Sequence, residues 1–385
     1  LSIFFFFSSF QFKMSADADQ GYAFVCEWFD NQSQNLKKFA LTYYPANNTV
    51  ELWDIKAHRM FLKRCPMDDG GIRMSDLFIG STVTVFQRQL NIIAYGNPFT
   101  KNVLGTAQQR TLAVILPHAM QDAGKVLDVA LAEGFSLGHF RVVSLNQRQA
   151  LALARESKEG ASDDLISALS SGPAIAMELI ARESVAAFKN LVSMRAWVGG
   201  VRCSNTPAEA DRELSFFFGQ GGAALSTRPQ LRDTTLCIVK PHTLREGSAG
   251  RVIRAIQDSG YVITCAQMYH FDRPAADEFL EVYQGILPSI EFQAILNEMT
   301  SGRMIALELA ATPQAAQHPH TGDMRSSVVA FRELVGPYPV HIAKELYPNS
   351  IRAQFGETVG RNAVHCTDME EDGILECEYL FSILR

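Results

Sequence analysis

A long internal repeat constrains the fold of this chain more than any other feature. The segment Thr111-Leu-Ala-Val-Ile-Leu-Pro-His118 returns as Thr235-Leu-Cys-Ile-Val-Lys-Pro-His242, and each copy is a short apolar run closed by proline. In both copies a stretch with helical spacing of apolar residues follows and ends at a glycine, Gly134 or Gly260, where a helix C-cap belongs. Repeats of this length are tandem domains, because solenoid units have only about 20 to 50 residues.

Two later blocks keep the same order in both copies. Ser171-Gly-Pro-Ala-Ile-Ala-Met-Glu-Leu179 corresponds to Ser301-Gly-Arg-Met-Ile-Ala-Leu-Glu-Leu309, and Ala187-Phe-Lys-Asn-Leu191 corresponds to Ala330-Phe-Arg-Glu-Leu334. The rhythm of strand and helix with long connections predicts an α+β fold, with a ferredoxin-like (βαββαβ) sandwich in each repeat.

The segment before the repeats predicts a separate antiparallel β domain. Aromatic and β-branched residues dominate four candidate strands, at residues 22–29, 38–44, 49–55 and 82–86. The turn Pro45-Ala-Asn-Asn48 suits a hairpin between two of them. We therefore divide the chain into a leader (1–20), a β domain (21–106), a first repeat (107–219), a linker (220–232) and a second repeat (233–385).

The leader is apolar but does not read as a signal peptide or a membrane span. Leu1-Ser-Ile-Phe-Phe-Phe-Phe-Ser-Ser-Phe10 has no basic residues before it, no small-residue cleavage site after it, and too few residues to cross a bilayer. We interpret residues 1–20 as a non-native or disordered leader, with Met14 as the native start.

Composition excludes several classes of function. The 385 residues are 47% hydrophobic and 20% charged, which is typical of a soluble globular protein. A net charge of -6 gives no electrostatic reason to expect nucleic acid or anionic membrane as a partner. Seven dispersed cysteines without a Cys-x-x-Cys pair predict free thiols and no metal site built by the protein itself.

A polar turn near the end of the chain carries the candidate chemistry. The run Gly360-Arg-Asn-Ala-Val-His-Cys-Thr-Asp368 places His365 near an asparagine and a carboxylate. A neutral imidazole is nucleophilic near neutral pH, and a carboxylate bound to one ring nitrogen fixes which nitrogen attacks. The pattern favours a histidine that carries phosphate.

This run and the repeat around it resemble the nucleoside diphosphate kinase family, in which a histidine takes phosphate from one nucleotide and passes it to another. The resemblance covers roughly residues 233–385. It implies catalytic roles for His365, Glu376 and Tyr283, and nucleotide-binding roles for Lys240, Arg332, Arg352 and Asn362. It also implies ATP and nucleoside diphosphates as ligands, with Mg²⁺ bound to their phosphates. Each residue alone has an ordinary explanation, so the ordered set carries the prediction.

Three positions depart from the family's pattern. Glu291 stands where the family has a phenylalanine that stacks on the base, Tyr338 where it has a phosphate-binding threonine, and Cys366 where a glycine follows the histidine. Base stacking contributes about 1 to 3 kcal/mol in nucleic-acid sites, so Glu291 is expected to weaken nucleotide binding.

The first repeat lacks the same chemistry. Leu116 occupies the lysine position and Leu153 the tyrosine position, and counting back from Glu213, the counterpart of Glu376, places Arg202 at the histidine position. The segment that holds the second clamp arginine is shortened between residues 191 and 201. We predict that this repeat keeps the fold as a scaffold and transfers no phosphate.

The β domain resembles the DM-ten domain, a PH-like module of ciliary microtubule proteins. The resemblance lies in Glu27-Trp-Phe-Asp30, Tyr44-Pro45, Phe61-Leu-Lys-Arg64 and Asp76-Leu-Phe-Ile-Gly80. It implies a cytoplasmic, cytoskeletal protein of the cilium or flagellum axoneme: a microtubule inner protein of the doublet microtubules that contacts tubulin and neighbouring inner proteins. The alternative is an active kinase that supplies GTP near tubulin. We also expect the loop 311–327, rich in proline, histidine and small residues, to contact a partner.

Overall fold

The chain folds around two β-sheets. The computed structural model describes residues 20–30, 33–67, 72–105, 108–155, 162–197, 199–219, 221–225 and 227–384. Except for its last residue, the predicted leader lies outside the described residues. Within the described residues, no helix is long and apolar enough to span a membrane.

The N-terminal domain is an antiparallel sheet with one helix. Its elements are β1 (Tyr22–Asp30), β2 (Asn35–Tyr44), β3 (Thr49–Asp54), β4 (Arg59–Pro66), β5 (Thr82–Val85), β6 (Arg88–Tyr95) and α1 (Pro98–Leu104). The strand order is β4-β3-β2-β1-β6-β5. Side chains alternate between buried and partly exposed along β1, β2 and β3, so one face of the sheet carries the core of this domain. The predicted hairpin turn at residues 45–48 is confirmed, because β2 pairs with β3 on either side of it.

Each repeat contributes four strands to the second sheet. The first repeat contains β7 (Gln109–Ile115), α2 (Ala123–Ala132), β8 (Ser136–Ser144), α3 (Gln147–Arg155), α4 (Asp163–Leu169), β9 (Pro173–Ala181), α5 (Ser184–Met194), β10 (Val201–Cys203) and α6 (Pro207–Phe218). The second contains β11 (Thr235–Val239), α7 (Pro241–Arg245), α8 (Ala249–Asp258), β12 (Tyr261–Tyr269), α9 (Arg273–Phe279), α10 (Ser289–Met299), β13 (Met304–Ala311), α11 (Pro313–Ala316), α12 (Ser327–Val335), α13 (Val340–Leu346), α14 (Ile351–Phe355), β14 (Val364–Cys366) and α15 (Asp372–Glu378).

The strand order confirms the ferredoxin-like topology of both repeats. The eight-stranded sheet runs β10-β7-β9-β8-β12-β13-β11-β14. In each repeat the fourth strand therefore lies beside the first, the first beside the third, and the third beside the second. The helix-ending glycines Gly134 and Gly260 have φ of +89° and +88°, the left-handed conformation that a glycine C-cap provides.

The two repeats pack as a pseudo-symmetric pair that shares one sheet. Strands β8 and β12 meet antiparallel at Arg141 and Gln267. On one face of this sheet, α2 packs closely against α8. Thr227, in the predicted linker, donates its backbone N–H to the Val142 carbonyl at 3.1 Å. This part of the linker therefore lies beside β8.

Arg303 joins all three domains. From the start of the β13 segment its Nη1 donates to the carbonyls of Leu137 and Gly138 in the first repeat, at 2.9 and 2.7 Å. Its guanidinium also lies 5.0 Å from the ring centroid of Phe78 in the N-terminal domain. Arg303 therefore links the second repeat to both of the other domains.

Candidate active site

The fourth strand of the second repeat presents His365. Strand β14 pairs with β11 so that His365 lies opposite Ile238. Helix α15 brings Glu376 to the imidazole, with Nε2 of His365 3.2 Å from Oε2 of the carboxylate. Thr367 donates its hydroxyl to the same carboxylate oxygen at 2.7 Å, which fixes the carboxylate in turn. Because Nε2 is engaged by Glu376, Nδ1 is the ring nitrogen left for nucleophilic attack.

Two aromatic rings fix the plane of the imidazole. Phe279 meets His365 edge-on with 5.1 Å between ring centroids, and Tyr283 does so at 6.4 Å. The Tyr283 hydroxyl donates to Asp368 at 2.6 Å. Burial, followed by the hydrogen bond to Asp368, raises the pKa of Tyr283, so the phenol stays protonated as a donor. Phe279 had no signal in the sequence, whereas Asp368 belonged to the motif without an assigned role.

Lys240 is a buried lysine at the end of β11. Its Nζ donates to the carbonyl of Gly360 at 2.9 Å. Burial lowers the pKa of Lys240 to about 7, and nearby Glu298 opposes that shift. An arriving phosphate favours the charged form, because an opposite charge at contact distance raises the pKa of an ammonium group.

A small cavity joins most of the predicted residues. Lys240, Tyr283, Arg352, Asn362 and His365 all line a cavity of about 30 Å³. Both amide atoms of Asn362 and the Nε of Arg352 are buried without a hydrogen-bond partner among the described residues. Buried polar groups are nearly always paired, so these atoms mark a place for a polar ligand.

Two predicted site residues do not line this cavity, namely Glu376, which joins it through its hydrogen bond to His365, and Arg332. Its Nη1 donates to the backbone carbonyl and the carboxylate of Asp368, the latter at 2.6 Å. It lines an adjoining open groove of about 580 Å³, which shares Tyr338, Arg352, Cys366 and Asp368 with the cavity. The structure thus brings together six of the seven predicted residues and pairs Arg332 with a carboxylate.

The three departures from the pattern lie around this region. Glu291 lies in the first turn of α10. Burial raises the pKa of Tyr338, and the negative charge of Glu291 raises it further. Cys366 is buried, and its Sγ accepts from Nη2 of Arg352 at 3.8 Å. Burial raises the pKa of Cys366, so its thiol stays protonated and fills space beside the arginine.

The first repeat has the same framework with different chemistry. Arg202 of β10 lies opposite Val114 of β7, just as His365 of β14 lies opposite Ile238 of β11. Arg202 therefore occupies the position that corresponds to His365. It forms an ion pair with buried Glu213, and Ser204 also donates to that carboxylate. Leu116 and Leu153 are buried in an apolar cluster where the second repeat keeps its polar residues.

Comparison with known proteins agrees with this geometry. The family model described as "Nucleoside diphosphate kinase" matches residues 233–384. The chain is 35% identical to nucleoside diphosphate kinase homolog 7 of Rattus norvegicus, and equally to that of Mus musculus. Each match covers 94% of this chain and 93% of the relative. The nucleoside diphosphate kinase of Aquifex aeolicus is 31% identical over 40% of this chain and 96% of its own length.

Proposed function

The chain belongs to the family of nucleoside diphosphate kinase homolog 7, and we propose that its second repeat moves the γ-phosphoryl group of ATP to nucleoside diphosphates through His365. One observation carries this proposal. Glu376 engages Nε2 of His365, which leaves Nδ1 as the nucleophile in a cavity lined by Lys240 and Arg352.

The reaction has two half-steps that balance. In the first, Nδ1 of neutral His365 attacks the γ-phosphorus of ATP, the bond from that phosphorus to the β,γ-bridging oxygen breaks, and ADP leaves. In the second, a terminal phosphate oxygen of a nucleoside diphosphate attacks the phosphorus of phosphohistidine. The P–N bond breaks, a nucleoside triphosphate leaves and the neutral imidazole returns. Glu376 stabilises the ring while it carries phosphate, because its negative charge offsets positive charge on the ring.

Charge in the cavity suits phosphoryl transfer. Lys240 and Arg352 provide cationic donors for phosphate oxygens whose charge shifts during the reaction. Mg²⁺ is expected to enter with the nucleotide, because this ion is usually held by substrate phosphates and one or two carboxylates. Asp368, which lines the cavity, is the carboxylate that suits this role. The ion neutralises phosphate charge when bound.

The test is a labelling experiment on the purified full chain. Incubation with Mg²⁺ and γ-labelled ATP should give an acid-labile, alkali-stable phosphoprotein, and added GDP should release the label as GTP. His365→Ala should abolish labelling, whereas His341→Ala, on α13, should not. Equal labelling of wild type and His365→Ala would exclude His365 as the phosphate carrier.

We propose, as a second function, that the chain is a microtubule inner protein of ciliary or flagellar doublet microtubules, in contact with tubulin and neighbouring inner proteins. Three features support this proposal. The N-terminal domain resembles the PH-like DM-ten module, and the first repeat keeps its fold with a leucine-filled site. In addition, Trp28, Phe29, Phe61 and Phe86 line an open groove of about 830 Å³ beside that domain.

The structural role is separable from the chemistry. The loop 311–327, which contains α11 and an isolated bridge between Gln317 and Met324, is one candidate contact with a neighbouring protein. A tagged chain and its His365→Ala variant should both appear inside doublet microtubules by electron cryo-tomography. Exclusion of both from the axoneme would remove the structural proposal and leave the enzymatic one intact.

A further inference from the structure

One side chain divides the region where a nucleotide has to bind. Lys240 and His365 line only the inner cavity of about 30 Å³, which has room for about two water molecules. Arg332 lines only the outer groove of about 580 Å³. A nucleotide whose phosphates reach both His365 and Arg332 has to occupy the space between the two openings. In this conformation, side chains that line both openings lie in that space.

Tyr338 is the side chain best placed to open it. The residues that line both openings are Tyr338, Arg352, Cys366 and Asp368. Arg352 is held through Nη1 by the carbonyl of Gly336 at 2.9 Å, and Asp368 is held by Arg332. The Tyr338 hydroxyl is buried and has no hydrogen-bond partner among the described residues. No hydrogen bond therefore has to break when the phenol leaves its position.

The backbone around Tyr338 is much less free to move than its ring. Pro337 and Pro339 flank the residue and restrict the φ angles on either side. Gly336 has a φ of +83°, and a Cβ at this position would lie 2.5 Å from Oγ of Ser350. Because this loop is pinned, rotation of the Tyr338 side chain is the motion that connects the two openings.

We propose that Tyr338 gates the phosphate end of the cleft, an inference that rests on the proposed transfer through His365. With the ring inward, the guanidinium of Arg352 lies 5.4 Å from its centroid and Arg332 stays separated from Lys240. With the ring outward, phosphates reach Lys240, Arg352 and Arg332 together. Tyr338 thus sets nucleotide affinity, where the resembling enzymes have a threonine that binds phosphate.

The test compares Tyr338→Ala with Tyr338→Phe in the full chain, because alanine removes the ring without adding a phosphate ligand. When a closed conformer outnumbers the open one, the apparent affinity is reduced in proportion to the fraction of molecules that are open. Minor states of this kind are commonly populated at about 0.1 to 10%. Tyr338→Ala should therefore tighten the binding of Mg²⁺-ADP by about tenfold or more, and lower KM for ATP by a similar factor with little change in kcat. Tyr338→Phe keeps the ring and should behave as wild type.

The two proposals fail in different ways. Thermal unfolding first establishes that both variants are folded, which is expected because Tyr338 lies in a partly buried loop between α12 and α13 and not in a helix or strand. Tighter ADP binding in Tyr338→Ala without any phosphohistidine would support the gate and contradict phosphotransfer. Phosphotransfer with the same KM in all three proteins would contradict the gate alone. A gain of affinity in Tyr338→Phe as large as in Tyr338→Ala would assign the effect to the hydroxyl and overturn closure by the ring.

Discussion

The pairing of the two repeats depends on two glycines, and Gly250→Ala tests it. Gly250, in the first turn of α8, meets the backbone of α2, and a Cβ there would lie 2.2 Å from the backbone nitrogen of Asp128. The relation is reciprocal, because a Cβ at Gly124 in α2 would lie 2.2 Å from the backbone nitrogen of Arg254. Such self-complementary contact is what a two-fold interface produces.

The magnitude follows from this geometry. To restore an ordinary contact of 3.4 Å from 2.2 Å, the two helices have to separate by about 1.2 Å. Overpacking of a tight core typically costs about 1 to 3 kcal/mol, and here the obstacle is backbone that cannot rotate away. Helix propensity alone predicts the opposite sign, since alanine is favoured over glycine in a helix by about 1 kcal/mol. The upper end of the overpacking range applies to rigid backbone, so a cost of about 3 kcal/mol less the gain of about 1 kcal/mol leaves a net loss of about 2 kcal/mol for Gly250→Ala. The Tm should therefore fall by about 4 to 8 °C.

Thermal and urea unfolding of the full chain provide the measurement. Gly199→Ala is the matched control, because a Cβ at Gly199 meets no atom within 4 Å. The control should stay within about 0.5 kcal/mol of wild type. A Gly250→Ala variant as stable as the control, or more stable than wild type, would refute the close packing of α2 on α8.

Three further predictions address the two sites. Glu376→Gln should slow phosphorylation of His365 by about 10² or more in single-turnover assays while the protein stays folded, because a neutral amide no longer fixes the tautomer that leaves Nδ1 free. Arg202→Ala should lower the free energy of unfolding by about 3 to 5 kcal/mol, because it leaves the buried carboxylate of Glu213 without its cationic partner. Urea unfolding measures this loss, and the Arg202→Ala/Glu213→Gln double variant should recover part of the lost stability. Binding of Mg²⁺-ADP at about pH 8 should take up close to one proton, because Lys240 with a pKa of about 7 is largely neutral at this pH and phosphate restores its charge. Calorimetry in buffers of different ionisation enthalpy measures this uptake. That uptake should vanish below about pH 6, where Lys240 is already protonated, and in Lys240→Met.

Much of the topology was predictable because local and global signals agree. The apolar runs closed by proline became β7 and β11, and the glycines after the amphipathic stretches became left-handed helix ends. Two strands of the N-terminal domain were missed. Residues 59–66 form β4, but this edge strand is largely exposed and bulged against β3, so its sequence lacks the alternation that identifies a half-buried strand. Strand β6 was missed as well, although Ile92 lies in the core.

The candidate site was predictable as a set of positions but not as a set of contacts. The motif identified His365 and the family resemblance identified Glu376, and the structure places them within hydrogen-bonding distance because α15, which follows β14, packs against β11. The pairing of Arg332 with Asp368 depends on tertiary packing that no local pattern encodes. Likewise Tyr338 was visible as a departure from the family's pattern, but its position between the two openings follows from how the loop before α13 is pinned.

The most direct test of transfer through His365 is to determine which imidazole nitrogen carries phosphate. Phosphorus NMR of the denatured phosphoprotein, or chromatography of its alkaline hydrolysate, separates the two phosphohistidine isomers. Because Glu376 engages Nε2, we predict phosphate on Nδ1 of His365. Phosphate on Nε2, or on a residue other than His365, would contradict it.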